Sequence, residues 1–170
     1  YFYYITDKLT MIQAITETSF DIYVQTEDNR IDTSVASTQI RHLVKFTNDL
    51  DKSVHYAYGA TETIKDRFTS ISINYNVVPD MYVGRTKLFP AGYWKYEVYE
   101  VSWIGTVTVS LGNAPATEDD VLTPPSGAKG IVQGLVTKGK MNLSEKDGTE
   151  QVQYTQRQEP SGTNYIYYGQ

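Results

Sequence analysis

Apolar side chains recur at every second position along most of this chain, and that spacing limits what it can become. Phe20, Ile22 and Val24 alternate with Asp21, Tyr23 and Gln25, and Val44 and Phe46 with Lys45 and Thr47. Val54, Tyr56 and Tyr58 repeat the pattern, as do Ile71, Ile73 and Tyr75 around Ser72 and Asn74. Trp94, Tyr96 and Val98 face one way while Tyr93, Lys95, Glu97 and Tyr99 face the other. Thr106, Thr108 and Ser110 alternate with Val107, Val109 and Leu111, and Val152 and Tyr154 with Gln151 and Gln153. Successive strand side chains point to opposite faces, so each run can bury one face and leave the other wet. The residue types, rich in Val, Ile, Thr and aromatics, suit a pleated half-buried surface.

Turn chemistry separates the runs. Asn48-Asp49-Leu50-Asp51 parts two strands, and Pro90-Ala91-Gly92 leads into the next. Lys146-Asp147-Gly148, between residues 141–144 and 150–154, reads as a hairpin turn. About eight to ten short strands at this spacing point to an all-β, antiparallel sandwich rather than a βαβ fold. The expected core is Val44, Phe46, Tyr56, Ile71, Ile73, Trp94, Tyr96 and Val98. A helix is admitted only over residues 6–14, where Ile5, Leu9 and Ile12 have helical spacing; a further strand over 11–15 is the other reading.

One stretch breaks the rhythm. Residues 112–130 hold Pro115, Pro124, Pro125 and the triplet Glu118-Asp119-Asp120, with few large apolar side chains. Loops longer than about 12–15 residues are uncommon in compact domains and are usually functional or linking. The chain therefore divides into an N-terminal arm (1–10), a sandwich body (11–111), a long exposed Pro-rich loop (112–130), and C-terminal strands that complete the same domain (131–170). The loop reads either as a reaching arm draped on a neighbour or as a surface insertion.

Composition narrows the function classes. The 170 residues fit one domain. No apolar run is long enough to cross a membrane as a helix, and no basic region followed by an apolar stretch marks a signal peptide. There is no cysteine, which excludes disulfides and Cys-based zinc sites. A net charge of −5 has the wrong sign for general nucleic-acid binding.

Motifs for chemistry are scarce. His42 and His55 fall on consecutive strands and read as two strand-surface histidines, since metal ligation needs a converging set of three or four groups. Glu118-Asp119-Asp120 lacks the spaced carboxylates of a calcium loop and reads as a solvated acidic segment. Gly127-Ala128-Lys129-Gly130 lacks the Gly-Lys-Ser/Thr ending of a phosphate loop. No Gly-x-Ser-x-Gly elbow is present, and Asn142-Leu143-Ser144 is only a formal glycosylation sequon. The expectation is a protein that is not an enzyme, with no catalytic residue, metal or cofactor.

The 15 tyrosines are the distinctive feature, because they crowd both ends of the chain. Tyr1, Phe2, Tyr3 and Tyr4 open it, and Tyr165, Ile166, Tyr167 and Tyr168 almost close it. Tyrosine joins a large apolar face to a polar tip, which favours it at interfaces. The terminal aromatics either pair as strands within the fold or dock on partner chains. Phe2, Tyr3, Tyr4, Leu122, Tyr165, Tyr167 and Tyr168 are the interface candidates. Met11 has the look of a translation start, which would make the first ten residues an upstream or processed segment.

Three segments in order carry a resemblance: Lys45-Phe46-Thr47-Asn48-Asp49-Leu50, then Asp66-Arg67-Phe68, then Pro90-Ala91-Gly92-Tyr93-Trp94-Lys95-Tyr96-Glu97-Val98-Tyr99. Together with Gln151–Tyr154 and Thr163-Asn164-Tyr165-Ile166-Tyr167, the order resembles small Ig-like virion proteins of tailed bacteriophages. The likeness spans residues 11–168. It implies an Ig-like sandwich, lacking the usual inter-sheet disulfide, in a virion protein that decorates or cements the capsid. A head–tail connector or tail location is the variant of that reading. Its partners would be other virion proteins or copies of itself, with no nucleic acid and no membrane. A carbohydrate-binding module is the alternative of another class, and would need Tyr93, Tyr99 and Trp103 exposed as a stacking platform. A linker domain of a larger adhesin is a third.

Overall fold

The computed structural model describes residues 11–147, and within them the alternating runs become strands. In chain order these are β1 (Ile12–Ile15), β2 (Phe20–Val24), β3 (Ile40–Asn48), β4 (Val54–Tyr58), β5 (Thr61–Ile64), β6 (Thr69–Tyr75), β7 (Arg85–Thr86), β8 (Gly92–Ser102) and β9 (Ile131–Ser144). Two 3-10 turns, Ser37–Gln39 and Met81–Val83, are the only helical pieces among the described residues. The protein is an all-β sandwich. One sheet runs β1-β9-β8-β3-β4, and the other β2-β6-β5 with β7 beside the end of β6.

Its core lies between the sheets. Val44 and Phe46 of β3, Ile71 and Ile73 of β6, and Trp94, Tyr96 and Val98 of β8 all point into it, as their alternation requires. Trp94 is fully buried, and its indole N–H donates to the carbonyl of Pro90 at 3.0 Å. The Pro90-Ala91-Gly92 turn and the first large side chain of β8 are thereby locked together. The ring also stands 5.8 Å from that of His55 across the face of β3. Ile12, Ala14, Met141 and Leu143 close the core from the β1–β9 edge.

Several expectations are corrected. The sheets are mixed, because β1 runs parallel to β9 and β6 parallel to β7. The helix over 6–14 does not form at Ile12, where a strand buries Ile12 and Ala14 and exposes Gln13 and Ile15. Tyr56 leaves the core list: β3–β4 pairing sets Val44 opposite Ala57 and Lys45 opposite Tyr56, so Ala57 faces inward and Tyr56 outward. Residues 106–111 form no strand, and Val107 and Val109 pack on the outer side of the sheet without a ladder partner. Of the expected hairpin around Gly148, residues 141–143 pair with β8 and residues 141–144 with β1. Gly148 itself and residues 150–154 lie outside the described residues.

Replacing Trp94 with Ala removes a fully buried ring and its hydrogen bond, and should cost roughly 3–5 kcal/mol. Denaturant unfolding of the variant checks this, and an unchanged midpoint would remove Trp94 from the core.

Candidate functional site

The most elaborate part of the molecule lies on the outer face of the five-stranded sheet. There β3, β4 and β8 present Leu43, Tyr58, Tyr99 and Val101, followed by Trp103, and these are too apolar to be left wet. The segment 104–130 supplies the cover. It leaves β8 after Trp103, crosses the sheet and returns to begin β9. The expectation of a long exposed arm is thus corrected for much of its length: Ala114 and Pro115 are buried, and the loop is a strap on its own sheet.

Polar contacts pin the strap at points where apolar packing alone would let it slide. The Tyr58 hydroxyl donates to the Pro115 carbonyl at 2.6 Å, and its ring stacks on Tyr82 at 6.3 Å. Burial pushes the Tyr58 phenol far above its ordinary value, which keeps it a donor. At the other end, Gly105 N–H donates to the Gly127 carbonyl at 2.9 Å, and Gly130 N–H to the Asn113 carbonyl at 2.7 Å. The Trp103 indole donates to Ala128 O at 3.2 Å. A Cβ on Gly130 would come within 2.7 Å of the Trp103 ring, so only glycine lets the returning chain lie flat on the indole.

At the centre, the Lys45 ammonium and the Tyr56 hydroxyl both donate to the Glu118 carboxylate. Glu97 flanks the lysine at 3.9 Å and meets Lys95 at 3.2 Å. Burial alone would raise the Glu118 carboxyl, but the hydrogen bonds from Lys45 and Tyr56 outweigh it and hold the group below its ordinary value of about 4.5. Lys45 is raised in turn, chiefly by its bond to Glu118. Tyr56 is pushed up to about 12, first by burial and then by Glu118. Near neutral pH the trio therefore holds an anionic carboxylate between a cation and a neutral phenol.

Beside this trio a cleft of about 370 Å³ opens between the strap and the start of β9. Glu118, Asp119 and Asp120 line it together with Val121, Leu122 and Pro125 of the strap and Ile131 and Val132 of β9. Leu122, an interface candidate from the sequence, is half-buried in this cleft. The other candidates (Phe2, Tyr3, Tyr4, Tyr165, Tyr167 and Tyr168) lie outside the described residues.

The remaining polar groups take structural places. The acidic triplet does not converge: Glu118 turns to Lys45 and Tyr56, Asp120 accepts from Ala116 N–H at 3.0 Å, and Asp119 is exposed. His42 is not a surface residue. It points between the sheets, where its Nδ1 lies 2.9 Å from the Glu62 carboxylate, whose other oxygen accepts from the His42 backbone N–H at 2.8 Å. His55 pairs with Phe46, four residues along β3, and is half-buried, which lowers its basicity. Glu100 is fully buried and accepts from the backbone N–H groups of Ile31 and Asp32 at 3.0 and 2.8 Å. Among the described residues no three His, Cys, Asp or Glu side chains gather as metal ligands would. Tyr93 is exposed but Trp103 is fully buried, so the aromatic platform a sugar would need does not form from these residues.

Reading the sequence missed Lys45, Tyr56 and Glu118 as a unit. Alternation placed Tyr56 on the buried face, its opposition to Lys45 follows only from the β3–β4 register, and the arrival of Glu118 across the strap left no signal. No family model and no curated protein matches the chain. A solved structure of a candidate glycoside hydrolase from Bacteroides vulgatus is similar at 12% identity with a TM-score of 0.34, covering 81% of this chain and 17% of that one. Likeness at that level carries no argument about activity.

Glu118→Gln should lower stability by roughly 1–3 kcal/mol near neutral pH, the usual range for losing charge-assisted bonds. Because the folded carboxyl is held below its ordinary value, its stabilisation is present above about 4.5 and fades as pH falls through the folded value. Unfolding curves of the two proteins should therefore converge on acidification, and a difference independent of pH would show that Glu118 acts by packing alone.

Proposed function

We propose that the protein is a non-enzymatic structural subunit of a tailed-phage virion that decorates or cements the capsid, with other virion proteins or further copies of itself as partners. The observation that carries this reading is where the segments of the resemblance fall. Lys45 to Leu50 ends β3 and turns, with the Asn48 side-chain carbonyl accepting from Leu50 and Asp51 N–H at 2.8 and 3.1 Å. Asp66-Arg67-Phe68 lies in the β5–β6 turn, closed by Lys65 N–H to the Phe68 carbonyl at 2.8 Å. Pro90 to Tyr99 is the locked start of β8. All three build framework, as a family of structural sandwiches requires.

The strand order adds support. The neighbours β9-β8-β3-β4, facing β2-β6-β5, follow the G-F-C-C′ against B-E-D arrangement of variable-type Ig sandwiches. The Trp94 bond back to Pro90 plays the part that a tyrosine corner plays in such folds. Contact area is at hand on the loops flanking β7, where Val77, Val78 and Phe89 are 68, 73 and 67% exposed.

Mass spectrometry of virions purified from the source phage should find the protein in multiple copies per particle. Changing Val78 and Phe89 together to Asp should reduce incorporation roughly tenfold, as loss of central apolar contacts does, without lowering the melting temperature. Absence from virions, with micromolar binding on a glycan array, would overturn the reading in favour of carbohydrate recognition.

A further inference from the structure

The cleft between the strap and the start of β9 is firmly framed, and most of its polar groups are already spent. Glu118 accepts from Lys45 and Tyr56, Asp120 accepts from Ala116 N–H at 3.0 Å, and the Lys129 ammonium donates to the Gly112 carbonyl. Gly130 N–H and the Trp103 indole tie the returning chain to the carbonyls of Asn113 and Ala128. Asp119 stands apart: it lines the cleft, is exposed, and has no hydrogen bond or ion pair among the described residues. The apolar lining continues outward on Val121 and Ile131, which are 81 and 48% exposed. A preformed, largely apolar cleft of about 370 Å³ with one unspent carboxylate suits a large apolar side chain that has a cation beside it.

This chain carries such a pair in the turn between β5 and β6. Lys65 N–H donates to the Phe68 carbonyl at 2.8 Å, so the turn is tight and Arg67 lies at its tip. Arg67 is exposed, with no hydrogen bond or ion pair among the described residues. Phe68 is 41% exposed, although its ring meets that of Tyr23 edge to face at 5.7 Å. Of the exposed aromatic residues described, only Phe68 has a Lys or Arg beside it in sequence. The turn, with Lys65 and Arg67 against Asp66, is positive, while the cleft, with three carboxyl groups against Lys129, is negative. A tight turn needs neither a guanidinium nor a phenyl ring for its own closure.

Turn and cleft lie at the same end of the sandwich. Ser102 pairs with Ile131 on one side and Ile40 on the other, so the strand wall of the cleft is close to the start of β3. The His42 backbone N–H donates to Glu62, which brings β5 to that end, and Ile64 shares a hollow with Ser37, Thr38 and Arg41 before the turn begins. A socket on one sheet and a plug on the other, at one end, can both be filled when two copies meet about a two-fold axis. Each contact is then made twice, which strengthens a pairing that a single insertion would leave weak.

We propose that two copies of this chain pair end to end about a two-fold axis, each seating Phe68 in the other's cleft and setting Arg67 against Asp119. The buried ring supplies the affinity, as aromatic anchors in apolar pockets do, and the ion pair fixes the orientation. The proposal does not rest on the virion role.

Sedimentation velocity of the full chain should show a reversible monomer–dimer equilibrium, with the dimer prominent by roughly 1 mM protein. Arg67→Glu and Asp119→Lys should each weaken association roughly tenfold or more, because like charges then face each other in both contacts. Both positions are exposed, so the melting temperatures should not change. Mixing the two single variants should give a mixed dimer, since Glu then meets Lys in one contact and Arg meets Asp in the other. The chain carrying both changes should likewise regain self-association to within roughly threefold, a recovery that independent sites do not show. A chain that stays monomeric at roughly 1 mM overturns the proposal, as does a dimer that both single changes leave intact or that the exchange does not restore. Binding of the separate peptide Lys-Asp-Arg-Phe-Thr to a chain that remains monomeric would assign the cleft to another protein and overturn it as well.

Discussion

The second half of β8 is covered on both of its faces, and the rest of the structure is arranged to make that possible. Trp94, Tyr96 and Val98 need a second sheet across from them, which β2, β6 and β5 provide. Tyr99 and Val101, pointing the other way, need a cover that no sheet supplies, and the strap fills that place with Ala114, Val107 and Val109. A strand wet on one side needs one layer over it; this one needs two. Hence the long excursion between β8 and β9, which in a simpler sandwich would be a short turn.

The inner layer was legible in the sequence because alternation reports parity directly. Val44, Phe46, Ile71, Ile73, Trp94, Tyr96 and Val98 sit where their period places them. His42 and Glu100 share faces with Val44 and Val98, yet His42 reads as a surface residue in the sequence, because no rule tells which acceptor or donor would meet a polar group on the inner face. In β4 the signal misled. Val54, Tyr56 and Tyr58 look like the buried face, yet Ala57 is the residue in the inter-sheet core, and so small a side chain adds little to a hydrophobic pattern. Phase in that strand is decided by its register with β3, which is a property of two strands and not of one.

The outer layer was not legible, for a related reason. Tyr56, Tyr58 and Tyr99 are amphipathic side chains equally at home on a wet surface or under a lid. The lid itself has the composition of a loop, and its attachment relies on one carboxylate meeting a lysine and a phenol from strands far away in sequence. Long-range polar complementarity of this kind leaves no periodic trace. The acidic triplet shows the limit well: three adjacent carboxyl groups of identical appearance end in three different places.

The pairing of β1 with β9 has a bearing on how the chain is made. During synthesis β1 leaves the ribosome before every other described strand, while the strand that holds it is the last of them. With chains elongating at about 5–20 residues per second, Ile12 and Ala14 must wait several seconds for Met141 and Leu143 to arrive. Meanwhile β2 and β6 can pair, and β3 can join β4, leaving one side of the nascent core uncovered. Closure is therefore a final, distant event, the kind of non-local contact that slows folding most. A circular rearrangement that made these two strands neighbours in the chain, linked by the crossover a parallel pair requires, would move that event to the beginning.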